Sequence, residues 1–181
     1  MLEDKISALL EQKFHCSQIM MKVGMEALEL EEPNLVKAMS GLAGGLGGCG
    51  HNCGALTGGV CMLSLFAGRG TPEEEADPDL AVMVSELLAW FEERYGSPDC
   101  GDIIQGDRDN IPRTCPQLIC DCAQKALEIL NSYGFSTTGL ESSVRTDPTV
   151  PSAPSSGWSG SPAPPSPAGR SRPAPGSPSP G

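Results

Sequence analysis

The eight cysteines are the residues of this 181-residue chain whose chemistry is most distinctive. Four of them precede the predicted start of a helix, namely Cys16, Cys53, Cys100 and Cys115. A helix N-terminus carries partial positive charge and unpaired N–H donors, so a thiolate or an anionic metal–thiolate cluster is stabilised there. If the four helix starts converge, the thiols would form one pocket suited to metal binding or to redox chemistry.

The local sequence supports each of these four placements separately. Cys115 directly precedes Pro116, which predicts that Cys115 caps the N-terminus of the last helix. Cys53 ends a glycine-rich segment and precedes an apolar one, and Cys100 follows a Ser-Pro-Asp sequence. Cys16 begins a helix only if the first helical segment breaks just before it. The convergence of the four helix starts is therefore a hypothesis about tertiary structure.

Four thiolates are the usual ligand set of a two-iron or four-iron Fe–S cluster, and also of structural zinc. The C-x2-C pairs of ferredoxins and zinc ribbons are missing, so the ligands would lie on separate helices of a preformed fold. A metal-free thiol–disulfide couple is the alternative, and it needs two cysteines whose Cα atoms lie within about 7 Å of each other. We favour the cluster. The two histidines, His15 and His51, are expected to be solvated rather than to bind metal.

The remaining cysteines and the neighbouring glycines divide into candidate and structural residues. Cys49 forms a C-x3-C pair with Cys53, and Cys122 shares a helical face with Cys115, so Cys49 and Cys122 are possible additional thiols. Cys61 lies in an apolar segment, where a free thiol usually packs as a small hydrophobic group. Four glycines are predicted to form a loop whose backbone approaches a cofactor: Gly47, Gly48, Gly54 and Gly58.

Helical periodicity accounts for the chain up to residue 137. Apolar residues recur at helical spacing near the N-terminus, from residue 80 to 91 and from 118 to 130, and no alternating strand of useful length is present. We therefore predict an all-α bundle of five or six helices over residues 1–137. Residues 138–181 contain 11 of the 17 prolines among Ser, Ala and Gly, which predicts a disordered tail.

Charge and hydropathy exclude several classes of function. Residues 1–137 contain 9 basic and 21 acidic residues, a net charge of −12, which disfavours binding to nucleic acid or to an anionic membrane. The same acidic surface suits weak, salt-sensitive docking on a basic redox partner protein. No run of about 18 apolar residues and no signal sequence is present, so we expect a cytoplasmic protein. Thiols stay reduced there, which favours metal or redox chemistry over structural disulfides.

Four sequence elements in order resemble the C_GCAxxG_C_C family of redox-active proteins. They are Cys16-Ser17-Gln18, Cys53-Gly54-Ala55-Leu56-Thr57-Gly58, Cys100 and Cys115-Pro116. The resemblance covers residues 1–135 and implies a helical, cytosolic protein of anaerobic bacteria that transfers electrons or binds an Fe–S centre through its four characteristic cysteines. The motif also occurs in split-Soret cytochromes, but a C-x-x-C-H attachment motif is missing here, so covalent haem is not implied.

These observations together predict an electron carrier rather than an enzyme that turns over a small substrate. Its Fe–S centre would be bound by the four characteristic cysteines, Cys16, Cys53, Cys100 and Cys115. The alternatives are a thiol–disulfide couple among the same residues and a non-catalytic interaction protein with a structural metal.

Overall fold

The computed structural model describes residues 1–137, which form an all-α fold as predicted. Within this range the β structure is limited to one isolated bridge, between Asn52 and Asp99. The predicted disordered tail, residues 138–181, lies outside the described residues. The α-helices are α1 (Leu2–Glu11), α2 (Cys16–Ala27), α3 (Pro33–Ala38), α4 (Ala43–Leu46), α5 (Gly54–Ala67), α6 (Leu80–Tyr95), α7 (Cys100–Ile103) and α8 (Ile111–Ser132), with 3-10 turns η1 (Met39–Leu42) and η2 (Arg108–Asn110). Of these, α4 and α7 are single turns of four residues, so six longer helices build the bundle.

Helix α5 lies at the centre of the bundle because it is apolar on nearly every side. It packs against α2, α6 and α8, and Leu56, Met62 and Leu63 are each at most 3% exposed. Full burial of a side chain of this size contributes about 1.5–3 kcal/mol to stability. No helix within residues 1–137 has both the length and the apolar composition needed to cross a bilayer.

Helices α2 and α5 run parallel and approach each other closely because glycines line their contact. A Cβ atom built on Gly58 would lie 2.8 Å from Cβ of Met20, and one built on Gly24 would lie 2.8 Å from Cγ of Met62. Such short separations do not occur between real atoms, so a larger residue at either position would force the methionine side chain or the helices to move. The close parallel packing places the N-termini of α2 and α5 side by side.

The chain breaks between α1 and α2, which places Cys16 at a helix start. Lys13 adopts a left-handed conformation with φ of 68°, which ends the helical path of α1. His15 is then extended and precedes the helix, and Cys16 is the first residue of α2. Gln18 Oε1 accepts a hydrogen bond from the backbone N–H of His15 at 3.1 Å and supports this start. The helix break before Cys16, which the sequence did not decide, is therefore present.

The last helix begins earlier than the sequence predicted, so Cys115 is not its N-cap. Helix α8 starts at Ile111, with Pro112 in its first turn. Backbone N–H groups in the first turn have no acceptor within the helix, so proline costs no hydrogen bond there. Pro116 lies inside the helix and removes one hydrogen bond, to the carbonyl of Pro112. The helix nevertheless continues, because the following residues, starting with the buried Leu118, pack into the core. The prediction that Pro116 opens the helix was wrong.

Candidate thiol site

Cys53 lies at the N-terminus of the central helix and receives hydrogen bonds from it. It is the N-cap of α5, and the backbone N–H groups of Ala55 and Leu56 donate to its sulfur, which favours the thiolate. Burial acts in the opposite direction and is the larger effect, because Cys53 is only 6% exposed. The net result raises the pKa of the Cys53 thiol to about 12.

Cys16 faces the same helix start from α2. A Cβ atom built on Gly54 would lie 2.5 Å from Sγ of Cys16 and 2.9 Å from the carbonyl oxygen of Leu42. Gly54 therefore gives the Cys16 sulfur its space against the first turn of α5. The two cysteines interact electrostatically, since negative charge on Cys16 contributes to the raised pKa of Cys53.

Backbone hydrogen bonds hold Cys100 beside Cys53. The segment before α5 pairs with the segment around the start of α7: Cys53 N–H donates to the carbonyl of Pro98 at 2.7 Å, and Cys100 N–H donates to the carbonyl of His51 at 2.8 Å. Gly101 N–H donates to the carbonyl of the preceding loop in the same way, at 2.8 Å. This short ladder fixes the first residue of α7 next to the N-cap of α5. Burial raises the pKa of Cys100, and Cys16 adds to the effect.

Cys115 reaches the same region from the second turn of α8 rather than from a helix cap. Burial raises its pKa to about 11, with further contributions from Cys16 and Cys100. The four cysteines of the sequence motif, carried by α5, α2, α7 and α8, are therefore close enough to influence one another's ionisation.

Burial is the largest cause of the raised pKa at Cys53, Cys100 and Cys115, and charge on a neighbouring thiolate adds to it. No basic side chain in residues 1–137 contributes to lowering these three pKa values. All eight cysteines are free thiols. Among the described residues no group of three or more Cys, His, Asp or Glu side chains is arranged to hold a metal ion. At neutral pH Cys53, Cys100 and Cys115 are therefore protonated, and bound positive charge would favour their thiolate forms.

The two possible additional thiols differ in burial and surroundings. Cys122 is fully buried on α8, and its S–H group donates to the carbonyl of Ala55 at 3.4 Å. Burial raises the pKa of Cys122, with Cys53 the second contribution. Cys49 is exposed in the glycine-rich loop. Cys61 is half-buried and packs against a separate apolar cluster that contains Met21.

The four glycines that were predicted to form one loop are divided between the loop and helix α5. Gly47 and Gly48 have left-handed conformations, with φ of 69° and 84°, and the N–H groups of both donate to the carbonyl of Ala43. Gly54 and Gly58 lie in helix α5 rather than in the loop, and both face α2. The amides that do reach a sulfur atom belong to the first turn of α5, as described above.

Two features of the site were not predicted from the sequence. The carbonyl of His51, rather than its exposed imidazole, contributes by accepting the N–H of Cys100. A pocket of about 330 Å³ opens beside Cys100 and is also lined by His15, Ser40 and Arg108. A larger groove of about 890 Å³ lies between α1, α2 and α3, and no cysteine lines it. No pattern in the sequence joins Arg108 to the cysteines.

Comparison with known proteins identifies the family of this chain. Residues 14–129 match the model of the family described as "Putative redox-active protein (C_GCAxxG_C_C)". A protein of Archaeoglobus fulgidus, named only as an uncharacterized protein, is 33% identical over 104 residues, which cover 52% of this chain and 68% of the relative. No solved structure matches the chain significantly. The matched range contains all four motif cysteines, and the chain therefore belongs to the C_GCAxxG_C_C family of redox-active proteins.

Proposed function

We propose that this protein is an electron carrier whose redox centre is an Fe–S cluster bound by Cys16, Cys53, Cys100 and Cys115. The observation that supports the proposal is that these four thiols, carried by four helices, lie within range of one another's charge near the N-terminus of α5. Protein-bound Fe–S clusters are held by cysteine thiolates, most often by four. The iron atoms would supply the positive charge that the buried thiols lack.

We favour a multi-iron cluster over a single zinc ion because four thiols on separate helices suit a centre inside a preformed bundle. The compact C-x2-C pairs of zinc ribbons are also missing from the sequence. The N–H groups of Ala55 and Leu56 that donate to Cys53 would also tune the reduction potential, since hydrogen bonds to cluster sulfurs do so.

A thiol–disulfide couple is the second candidate, and the contact between Cys16 and the first turn of α5 favours it. Thiol exchange proceeds through the thiolate, however, and a pKa of about 12 leaves little thiolate on Cys53 at neutral pH. For this reason we rank the couple below the cluster. In either case the acidic surface would dock a basic redox partner protein through weak, salt-sensitive contacts.

Anaerobic purification followed by iron, sulfide and zinc assays and a visible spectrum tests the proposal. We expect iron and sulfide in near-equal amounts and absorbance that bleaches with dithionite. Cys53→Ser and Cys115→Ser should lose the bound iron, whereas Cys61→Ala, in the separate cluster with Met21, should keep it. A colourless, metal-free wild-type protein would contradict the cluster and favour the thiol couple, and stoichiometric zinc would favour a structural site.

A further inference from the structure

The pocket beside the thiol site has the size and the lining of a small-molecule site. Its volume of about 330 Å³ falls at the lower end of the range typical of ligand pockets. The glycine-rich loop and Ile104 form part of its wall, and the polar groups that converge on it belong to His15, Ser40 and Arg108. Cys100, a member of the thiol set, is also a lining residue. The pocket therefore reaches one of the four motif cysteines.

The pocket is free of carboxylates although the described chain is strongly acidic. None of its lining residues within the described range is Asp or Glu, whereas residues 1–137 contain 21 of these residues. The two carboxylates next to Arg108 in sequence, Asp107 and Asp109, do not line the pocket, and Asp107 Oδ1 accepts the backbone N–H of Asp109 at 2.9 Å. The lining itself therefore carries no carboxylate.

Arg108 is positioned to bind an anion. Its guanidinium group forms no ion pair within residues 1–137, and Nη2 donates only one long hydrogen bond, 3.4 Å, to the carbonyl of Gly48. The planar fork of arginine suits two-point binding of carboxylates and oxyanions. The Ser40 hydroxyl already accepts a hydrogen bond from Gln18 at 3.0 Å, so its own hydrogen can point to a ligand.

We propose that this pocket binds a small anionic molecule, with its carboxylate or oxyanion group on Arg108 and the rest of the molecule beside Cys100. The binding does not depend on the proposed redox function. The role of the bound molecule as a reactant at the thiol site does rest on that function.

Thermal unfolding of the full chain, as purified, tests the binding with inorganic phosphate and acetate as separate probes at constant ionic strength. A ligand that binds the folded state raises the melting temperature in a saturable way. The variant is Arg108→Gln and the matched control is Arg69→Gln, because Arg69 is also exposed but lines neither pocket. Both variants remove one positive charge, so a general charge effect would appear in both.

We expect saturable stabilisation by at least one probe in the wild type and in Arg69→Gln, and an apparent Kd at least tenfold weaker in Arg108→Gln. A response to phosphate alone would identify an oxyanion site, and a response to acetate alone a carboxylate site. Equal curves for the wild type and Arg108→Gln would reveal an adventitious ion only and would overturn the proposal. Iron content measured on the same samples reports the proposed function separately, so the two can fail independently.

Discussion

Replacing Gly54 with alanine is the sharpest test of how the thiol site is built. The added Cβ would lie 2.5 Å from the Cys16 sulfur and 2.9 Å from the carbonyl oxygen of Leu42, and the latter belongs to the backbone and cannot rotate away. Overpacking of this kind costs about 1–3 kcal/mol. The higher helix propensity of alanine returns at most about 1 kcal/mol, and less at the first position of a helix. We therefore expect a net loss of about 1–2 kcal/mol together with displacement of the Cys16 sulfur.

Urea denaturation of Gly54→Ala beside Gly41→Ala measures this loss. A Cβ on Gly41 meets no atom within 4 Å, so the control should stay within about 0.5 kcal/mol of the wild type. Cys16→Ala removes the sulfur, and the double variant Cys16→Ala/Gly54→Ala should recover part of the loss, because the two residues are in contact. A Gly54→Ala protein as stable as Gly41→Ala would refute the proposed contact between α2 and α5.

Three further predictions concern the thiols and the surface next to α8. The pKa of Cys53 is raised from its ordinary value of 9.0 to about 12, so the folded state of the reduced, metal-free protein holds this proton more tightly than the unfolded state. The free energy of unfolding that this group contributes is fully present below pH 9 and falls by about 1.4 kcal/mol per pH unit above it. Urea denaturation from pH 8 to 10.5 should therefore show a shallower decline in the free energy of unfolding for Cys53→Ala than for the wild type. Equal slopes would contradict the raised pKa. Cys122→Ala should lower stability by about 1–2 kcal/mol, because it loses the hydrogen bond to Ala55 and leaves a small cavity. The amount of bound iron should stay unchanged in this variant, and loss of iron would instead make Cys122 a ligand. Tyr95→Phe should cost about 1 kcal/mol, because the Tyr95 hydroxyl donates to Asp121 Oδ2 at 2.9 Å; an unchanged denaturation midpoint would show that this hydrogen bond contributes nothing.

The sequence predicted which segments are helical but was less accurate about where the helices begin. Cys53 and Cys100 do lie at helix starts, because the glycine-rich segment and the Ser-Pro-Asp sequence before them are local signals. For Cys115 the local signal misled: two prolines, Pro112 and Pro116, lie one turn apart, and either could open the helix. The helix begins beside the first proline, and the residues between the two prolines are exposed or half-buried, so they carry no apolar pattern that would have predicted this start.

By itself the sequence determined the all-α character of residues 1–137, the acidic surface and the four cysteines on which the family match depends. These properties follow from composition, periodicity and motif order, which are local or additive. Only the tertiary structure decided which residues meet: that Gly54 gives space to Cys16, and that Cys122 reaches Ala55. Such contacts join positions that are up to 67 residues apart, and they depend on how closely the helices pack, which the spacing of residues along one helix does not specify.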